Sequence, residues 1–273
     1  MTDPTSKDQL GDRMKGLENV ESARRLNVKL PVYVRIDGRG FSKFTKDMKR
    51  PFDVRMSECM VETTRYLVDK THARIGLTQS DEISLVYMAS DEKEESDIFF
   101  NGRIQKIASV LAGMTTIAFV MEVLKRSDFA HYAERMPHFD ARVFQLPDTM
   151  EAANAFLWRE RDAKKNSVSM ACRAHFSHRA MDFKSATEMI AMLAEKGVDF
   201  DDYPQFFKRG TWLRRERFER EFTAEELARI PEKHRPLPGT LVERSEVRPL
   251  FIEDFGAVQN RVGVIFDGET PVV

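Results

Sequence analysis

Val32-Tyr33-Val34-Arg35-Ile36-Asp37-Gly38-Arg39-Gly40-Phe41 is the stretch on which the reading of this chain turns. Its opening residues are β-branched or aromatic and alternate with a period of two, which predicts a strand over Leu30–Ile36. The strand runs out at Asp37, and Gly38 and Gly40 follow it, so a carboxylate held by regular backbone stands next to main chain that can approach a ligand closely. A second stretch has the same design: Gly76-Leu77-Thr78-Gln79-Ser80-Asp81-Glu82-Ile83-Ser84-Leu85-Val86. Apolar runs at Ala73–Leu77 and Ile83–Met88 flank Gln79-Ser80-Asp81 and predict a β-hairpin beside the first strand, with Asp37 and Asp81 facing each other across neighbouring strands.

An aspartate at a strand end most often caps a turn or faces water. Here the surroundings point to more. Arg35, Arg39 and Lys43 supply cations for phosphate groups, and Ser80-Asp81-Glu82 sets two acids at one turn. Hard Mg²⁺ prefers carboxylate oxygen and takes its other ligands from water and substrate phosphates, so Asp37 and Asp81 read as the candidates for divalent-metal chemistry on phosphates.

The elements around these turns predict the fold. A charged helix is expected over Gln9–Leu26, and Asp53, after Pro51-Phe52, is a candidate N-cap for a helix whose Met56, Met60, Thr63, Thr64, Leu67 and Val68 fall at helical spacing. After acidic Ser90-Asp91-Glu92-Lys93-Glu94-Glu95, read as an exposed loop or helix start, a strongly apolar helix is expected over Ile98–Lys125 and a strand over Phe139–Leu146. The resulting β-α-β-β-α-β order is that of a ferredoxin-like antiparallel sheet, an α+β fold. Beyond Pro147, helices are expected at Ala152–Arg161, Val168–His178 and Ser185–Glu195, the last ended by Gly197, giving a mostly helical C-terminal half. The expected organisation is residues 1–146 as catalytic domain with an N-terminal helix, 147–216 as its helical continuation with a basic segment, and 217–273 as a C-terminal extension.

Composition narrows the function classes. The 273 residues, 42% hydrophobic, suffice for a full core, and 43 basic against 44 acidic residues leave a net charge of −1. Any nucleic-acid surface is therefore a local patch. Cys59 and Cys172 are far apart and have no metal-ligand spacing, which fits buried free thiols in a reducing cytoplasm. The polar N-terminus lacks the apolar core of a secretory signal, and no stretch approaches roughly 18 uninterrupted apolar residues, so no membrane span is expected.

Asp37-Gly38-Arg39-Gly40-Phe41, Pro51-Phe52-Asp53 and Gln79-Ser80-Asp81-Glu82 together resemble the tRNA(His) guanylyltransferase family and its guanylyltransferase-like relatives. Phe139-Asp140-Ala141-Arg142, Trp158-Arg159-Glu160-Arg161-Asp162-Ala163 and Lys208-Arg209-Gly210-Thr211 are similar to family blocks in order and spacing, so the likeness runs from about Leu30 to Thr211. The resemblance implies a polymerase-type palm that adds nucleotides to the 5′ end of tRNA in the 3′-to-5′ direction with two Mg²⁺ ions, using ATP and GTP as substrates. It implies Asp37 and Asp81 as metal-binding carboxylates, Gly38 as the donor of a backbone carbonyl to the same site, and Glu82 as a neighbouring catalytic acid. Asp37, Gly38, Arg39, Gly40, Phe41 and Ser42 would line the triphosphate, with Ser80 a further nucleotide contact. Lys43, Arg50, Lys208 and Arg209 are the cations placed on phosphates, Arg35 is a further candidate there, and Asn166 is a candidate RNA contact. The family also implies a homotetramer. Where eukaryotic members carry a His-x-Asn-Asn segment linked to reading the histidine anticodon, this chain has Lys164-Lys165-Asn166-Ser167. The missing histidine moves the likeness toward the branch that repairs truncated tRNA 5′ ends by template pairing.

Other signals are weaker. His175 and His178 have zinc-compatible spacing but no further ligand nearby in sequence, and read as partly exposed structural residues. Phe156, Trp158, Phe206, Phe207 and Trp212 lie near cations and would suit base stacking, although core packing accounts for most of them. Met56, Met60, Met189 and Met192 read as core filler. Two rival functions remain on the same palm: a nucleotidyl cyclase-like enzyme that needs no RNA, and a nucleotide or tRNA sensor.

Overall fold

Strand alternation around Asp37 is borne out in a computed structural model that describes residues 9–89 and 98–273. In chain order the elements are α1 (Gln9–Ser22), β1 (Val32–Gly38), α2 (Phe41–Phe44), α3 (Val54–Thr71), β2 (Ile75–Gln79), β3 (Glu82–Tyr87), α4 (Ile104–Leu124), β4 (Phe139–Gln145) and α5 (Thr149–Arg173). Then follow α6 (His178–Met181), α7 (Ala186–Glu195), α8 (Gln205–Lys208), β5 (Thr211–Glu221), α9 (Ala224–Arg229), β6 (Leu241–Leu250) and α10 (Arg261–Phe266). Elements β1 to β4 with α3 and α4 make the expected β-α-β-β-α-β unit, and the antiparallel sheet runs β4-β1-β3-β2-β5-β6. The acidic stretch from Ser90 to Glu95 lies outside the described residues.

The period of two in β1 divides the core. Val32, Val34 and Ile36 join Ile83 and Leu85 on one face and bury against Met60, Leu67 and Val68 of α3 and Ile107, Leu111 and Phe119 of α4. Tyr33, Leu77 and Val86 point to the other face, where Phe156 of α5, Trp212, Phe255 and Ile265 cover them. Each such fully buried side chain contributes about 1.5–3 kcal/mol. Asp53 caps α3 by accepting from the Arg55 backbone N–H at 3.1 Å, as its place before the helix predicts. Cys59 and Cys172 are buried free thiols.

The C-terminal half departs from its expected outline in three ways. The two helices expected at Ala152–Arg161 and Val168–His178 are one, α5, because Ala152, Phe156, Ala163, Ser167 and Ala171 keep a buried stripe in phase while Lys164, Lys165 and Asn166 face solvent. That half, mostly helical as expected, also contributes two strands, β5 and β6, which extend the sheet to six. Residue 217, where an extension was expected to begin, lies inside β5, with Arg217 opposite Ser245. The run Arg214-Arg215-Glu216-Arg217-Phe218-Glu219-Arg220-Glu221 has too few apolar residues to announce a strand. It is held by partners distant in sequence, such as Arg248 stacked over the Phe218 ring at 4.2 Å. Finally, Ile252, Phe255, Val258, Val264 and Ile265 return to cover the sheet beside α5.

Two helices leave apolar surface open. α1 buries none of its residues, and Leu10, Met14, Leu17 and Val20 all stand in solvent. Among the described residues, α4 is the one helix long and apolar enough to cross a membrane by length and composition. It packs one side on the sheet through Ile107, Leu111, Phe119 and Val123 and exposes Ile117, Met121 and Leu124 on the other.

Candidate active site

Strand register builds the acidic cluster. Asp37 lies opposite Glu82 of β3 on one side and Asp140 of β4 on the other. Directly opposed residues project from the same sheet face, so three acids stand abreast there, with Arg35, Ser84 and Arg142 in the next row. The expected pairing is thus shifted by one residue. Glu82 opposes Asp37, because the turn between β2 and β3 consists of Ser80 and Asp81 alone. Ser80 has a positive φ of 54°, the geometry that tight hairpin turns require at this position.

A backbone hydrogen bond fastens that turn to β1: the Gly38 N–H donates to the Asp81 carbonyl at 3.0 Å. Glycine is favoured at position 38, since a Cβ there would lie 2.3–2.6 Å from the Phe41 ring and force it to shift. That ring is fixed in turn by Phe44, Phe119 and Phe139, with centroids 5.0, 5.6 and 4.9 Å away. The loop from Gly38 therefore wraps tightly over an aromatic plug before α2 begins.

The acids are not electrostatically equivalent. Burial, and then the neighbouring Asp37 charge, push the Asp81 carboxyl up to about 6. Burial also raises Glu82, but Arg159 holds it back. The Arg159 Nε and Nη2 donate to the two Glu82 oxygens at 2.6 and 2.7 Å, and Nη2 also donates to Asp162 at 3.0 Å. Arg35 Nε stands 4.0 Å from Glu82. Glu82 is thus neutralised by protein cations, whereas Asp37 and Asp81 enter no ion pair among the described residues.

That leaves two mutually repelling carboxylates, both hard oxygen donors, in need of a cation, and the donor set fits Mg²⁺. Among the described residues no three His, Cys, Asp or Glu side chains converge as a cage. The Asp37 and Asp81 carboxylates are thus the groups that could hold such an ion, with the remaining positions left to water and phosphate oxygens, as Mg²⁺ commonly takes them.

A cavity of about 320 Å³ opens beside Asp81, lined by Phe41, Ser42, Arg50, Ser80, Asp81 and Phe206 among others, with Asp37 and Gly38 not among its lining residues. Phe41, Ser42, Arg50, Ser80 and Asp81 are thus brought together as the sequence suggests. Arg39 and Lys43 are exposed on the adjoining loop and helix. Arg173, which lines the same cavity from the end of α5, supplies a cation that sequence reading passes over, since nothing local distinguishes it from a solvated charge.

Lys208 and Arg209 are differently engaged. The Lys208 ammonium donates to the Asp201 carbonyl at 2.6 Å. Arg209 pairs with buried Glu160 and donates to Asp254 at 2.6 Å, joining α5, α8 and the C-terminal segment. These contacts make Arg209 a structural tie rather than an open phosphate site. Asn166 hydrogen-bonds Asp162 at 3.4 Å and so borders the Arg159–Glu82 cluster. Arg159 and Asp140 are the members of the cluster that sequence reading quotes but gives no role. Their positions depend on helix docking and on strand register. Of the aromatics, Phe156, Phe207 and Trp212 are core, whereas Trp158 is exposed. His175 and His178 are both exposed, and Met56 and Met60 are buried.

A sequence model of the tRNAHis guanylyltransferase family matches residues 11–147, which hold both acidic turns. The chain belongs to the tRNA(His) guanylyltransferase family. Among relatives, the tRNA(His) guanylyltransferase of Schizosaccharomyces pombe is 27% identical over 215 residues, covering 72% of this chain and 79% of the relative. Among solved structures, a bacterial tRNA(His) guanylyltransferase-like protein in complex with ATP superposes with a TM-score of 0.70 at 35% identity, covering 76% of this chain and 87% of that one. A second structure, of a bacterial tRNA(His) guanylyltransferase-like protein in complex with GTP, gives a TM-score of 0.68 at 31% identity over 89% of this chain and 91% of that one. This guanylyltransferase-family chain is accordingly a nucleotidyltransferase on an α+β palm, and Asp37 and Asp81 lie within the residues that the family model matches.

Proposed function

We propose that this chain adds nucleotides to the 5′ end of tRNA in the 3′-to-5′ direction, guided by template pairing, and so repairs truncated 5′ ends. The observation that carries the reading is the uncompensated Asp37–Asp81 pair, with a cavity beside Asp81 lined by Ser42, Arg50 and Ser80. In the reaction, the 3′-hydroxyl oxygen of an incoming nucleotide attacks the activated 5′-phosphorus of the RNA, a P–O bond forms, and pyrophosphate or AMP leaves with the electrons of the broken bond. Asp37 and Asp81, with the Gly38 carbonyl, would hold two Mg²⁺ ions, which when bound lower the pKa of the attacking hydroxyl and stabilise charge on the leaving phosphates.

The remaining work belongs to the chain itself. Asp37 to Ser42 line the triphosphate, and Arg39, Lys43 and Arg50 neutralise its oxygens, contacts that do not read the base because all nucleoside triphosphates share them. Ser80 presents its hydroxyl from the tight turn. Glu82, already paired with Arg159, acts by keeping the turn and β1 in place.

ATP would activate a 5′-monophosphate and GTP would be added, in keeping with the ATP and GTP complexes of the bacterial relatives. The open apolar stripes of α1 and α4 support assembly as a homotetramer, and the two buried free thiols support action in the cytoplasm. Lys164, where a histidine would read the anticodon, supports a broader tRNA range than tRNA(His) alone.

The test incubates the protein with 5′-truncated and full-length tRNA transcripts, ATP, GTP and Mg²⁺, and resolves products at single-nucleotide length beside an Asp81→Ala control. Extension that stops at a complete acceptor stem is the expected result. Absence of extension from both monophosphate and triphosphate ends overturns the reading, and a cyclic nucleotide formed from nucleotide alone would put a cyclase in its place.

A further inference from the structure

The α5 helix carries one large aromatic side chain that the palm leaves in water. Trp158 is 52% exposed, although Phe156 two residues earlier is fully buried. Its ring is nonetheless held in place. The Arg159 guanidinium lies 4.4 Å from the ring centroid, and the Arg35 guanidinium stands off at 5.6 Å. Arg159 is itself clamped by Glu82 and Asp162, so the indole is fixed to the cluster that borders the Asp37–Asp81 pair. Trp158 is not among the residues that line the 320 Å³ cavity, which places it outside the pocket for the incoming nucleotide.

The same helix continues the surface with charge. Arg161 and Lys165 follow Trp158 at i+3 and i+7, the spacing of one helix face. Both are exposed and enter no ion pair among the described residues. The acids on either side of Arg161 are occupied, Asp162 by Arg159 and Glu160 by Arg209. A rigid, half-exposed indole followed by unpaired cations is the arrangement that stacks a base and tracks a phosphate backbone.

We propose that Trp158 is a stacking platform for the 5′-terminal base of the RNA substrate, with Arg161 and Lys165 carrying the adjoining phosphates along α5. The inference rests on the RNA-substrate reading above and adds a recognition site to it. Loss of one base–aromatic stack corresponds to about a 5- to 150-fold weaker complex. A tRNA transcript carrying 2-aminopurine at its 5′-terminal position reports that stack as quenched fluorescence.

With the full-length protein, wild type is expected to quench the probe, Trp158→Ala to abolish the quench and weaken tRNA binding 5- to 150-fold, and Trp158→Phe to restore both in part. Affinity for GTP and the thermal midpoint should be unchanged in both variants, which separates lost stacking from lost folding. Arg161→Ala with Lys165→Ala should lower the dependence of log Kd on log salt by roughly 0.7–0.9 per cation. If wild type extends tRNA while Trp158→Ala quenches and binds as wild type does, the platform is overturned and the nucleotide-addition reading stands. If wild type neither binds nor extends tRNA, both fail together.

Discussion

Arg159 grips both oxygens of Glu82, at 2.6 and 2.7 Å, across 77 residues of sequence. The fork makes Glu82 a bridge between the α5 helix and the hairpin turn rather than a free acid. Removing Arg159 leaves a mostly buried carboxylate without its partner, so Arg159→Ala should destabilise the fold by about 1.5–3 kcal/mol in urea unfolding. Arg159→Lys should recover only part of that, because an ammonium cannot make the paired contact.

The Asp81 carboxyl, near 6 in the folded protein, yields a pH signature. Its folded value lies above the unfolded value of 3.8, so the metal-free folded state binds this proton more tightly than the unfolded chain does. The stabilising contribution is therefore fully present below about pH 4 and is lost as pH rises through about 6. Mg²⁺ competes with the same proton. The Mg²⁺-induced rise in Tm should be large near about pH 7.5 and shrink below about pH 6, and it should vanish in Asp81→Asn. Calorimetry of wild type against Asp81→Asn isolates this group from Asp53, whose lowered pKa has the opposite sign and acts further into acid.

Gly38→Ala tests the wrap of the nucleotide loop. The added Cβ meets the Phe41 ring at 2.3–2.6 Å, inside a cluster of four phenylalanines that has little room to yield. Overpacking of this kind costs about 1–3 kcal/mol. GTP affinity should fall together with stability, because the strand end that carries Asp37 moves with the loop.

Arg209 should behave as a structural residue. Its Glu160 partner is 1% exposed, so Arg209→Ala leaves a buried carboxylate uncompensated and should cost about 3–5 kcal/mol. Neutralising both partners, Arg209→Met with Glu160→Gln, should return most of that stability. Lys208→Ala, which removes one contact to a backbone carbonyl, should change stability far less. Thermal unfolding of the three variants distinguishes this tie from a phosphate ligand, whose loss would leave Tm unchanged and raise the KM for nucleotide.

Much of the palm is legible in one dimension because its signals are local. The alternation of Val32 to Ile36, the cap at Asp53 and the apolar stripe of α4 each specify an element from its own residues, and the order of those elements names the sheet. The acidic turns are legible for the same reason: Asp37 and Asp81 sit at strand ends beside residues that permit tight backbone. The β5–β6 ribbon is not, since Arg217 and Glu219 resemble a solvated face until Glu243, Ser245 and Arg248 come alongside. The unbroken α5 is not legible either, because its charged exposed side hides the buried stripe running beneath it.

Local signals alone specify the palm and the family and set Asp37 and Asp81 at strand ends, because turn chemistry and hydrophobic periodicity act over a few residues. Packing in three dimensions sets which acid is ion-paired and which is not. Only register puts Glu82 and Asp140 beside Asp37, only the docking of α5 hands Glu82 to Arg159 and Glu160 to Arg209, and only packing leaves Trp158 in water while Phe156 is buried. Burial and charge pairing are properties of neighbours in space, and those neighbours lie tens of residues apart along the chain.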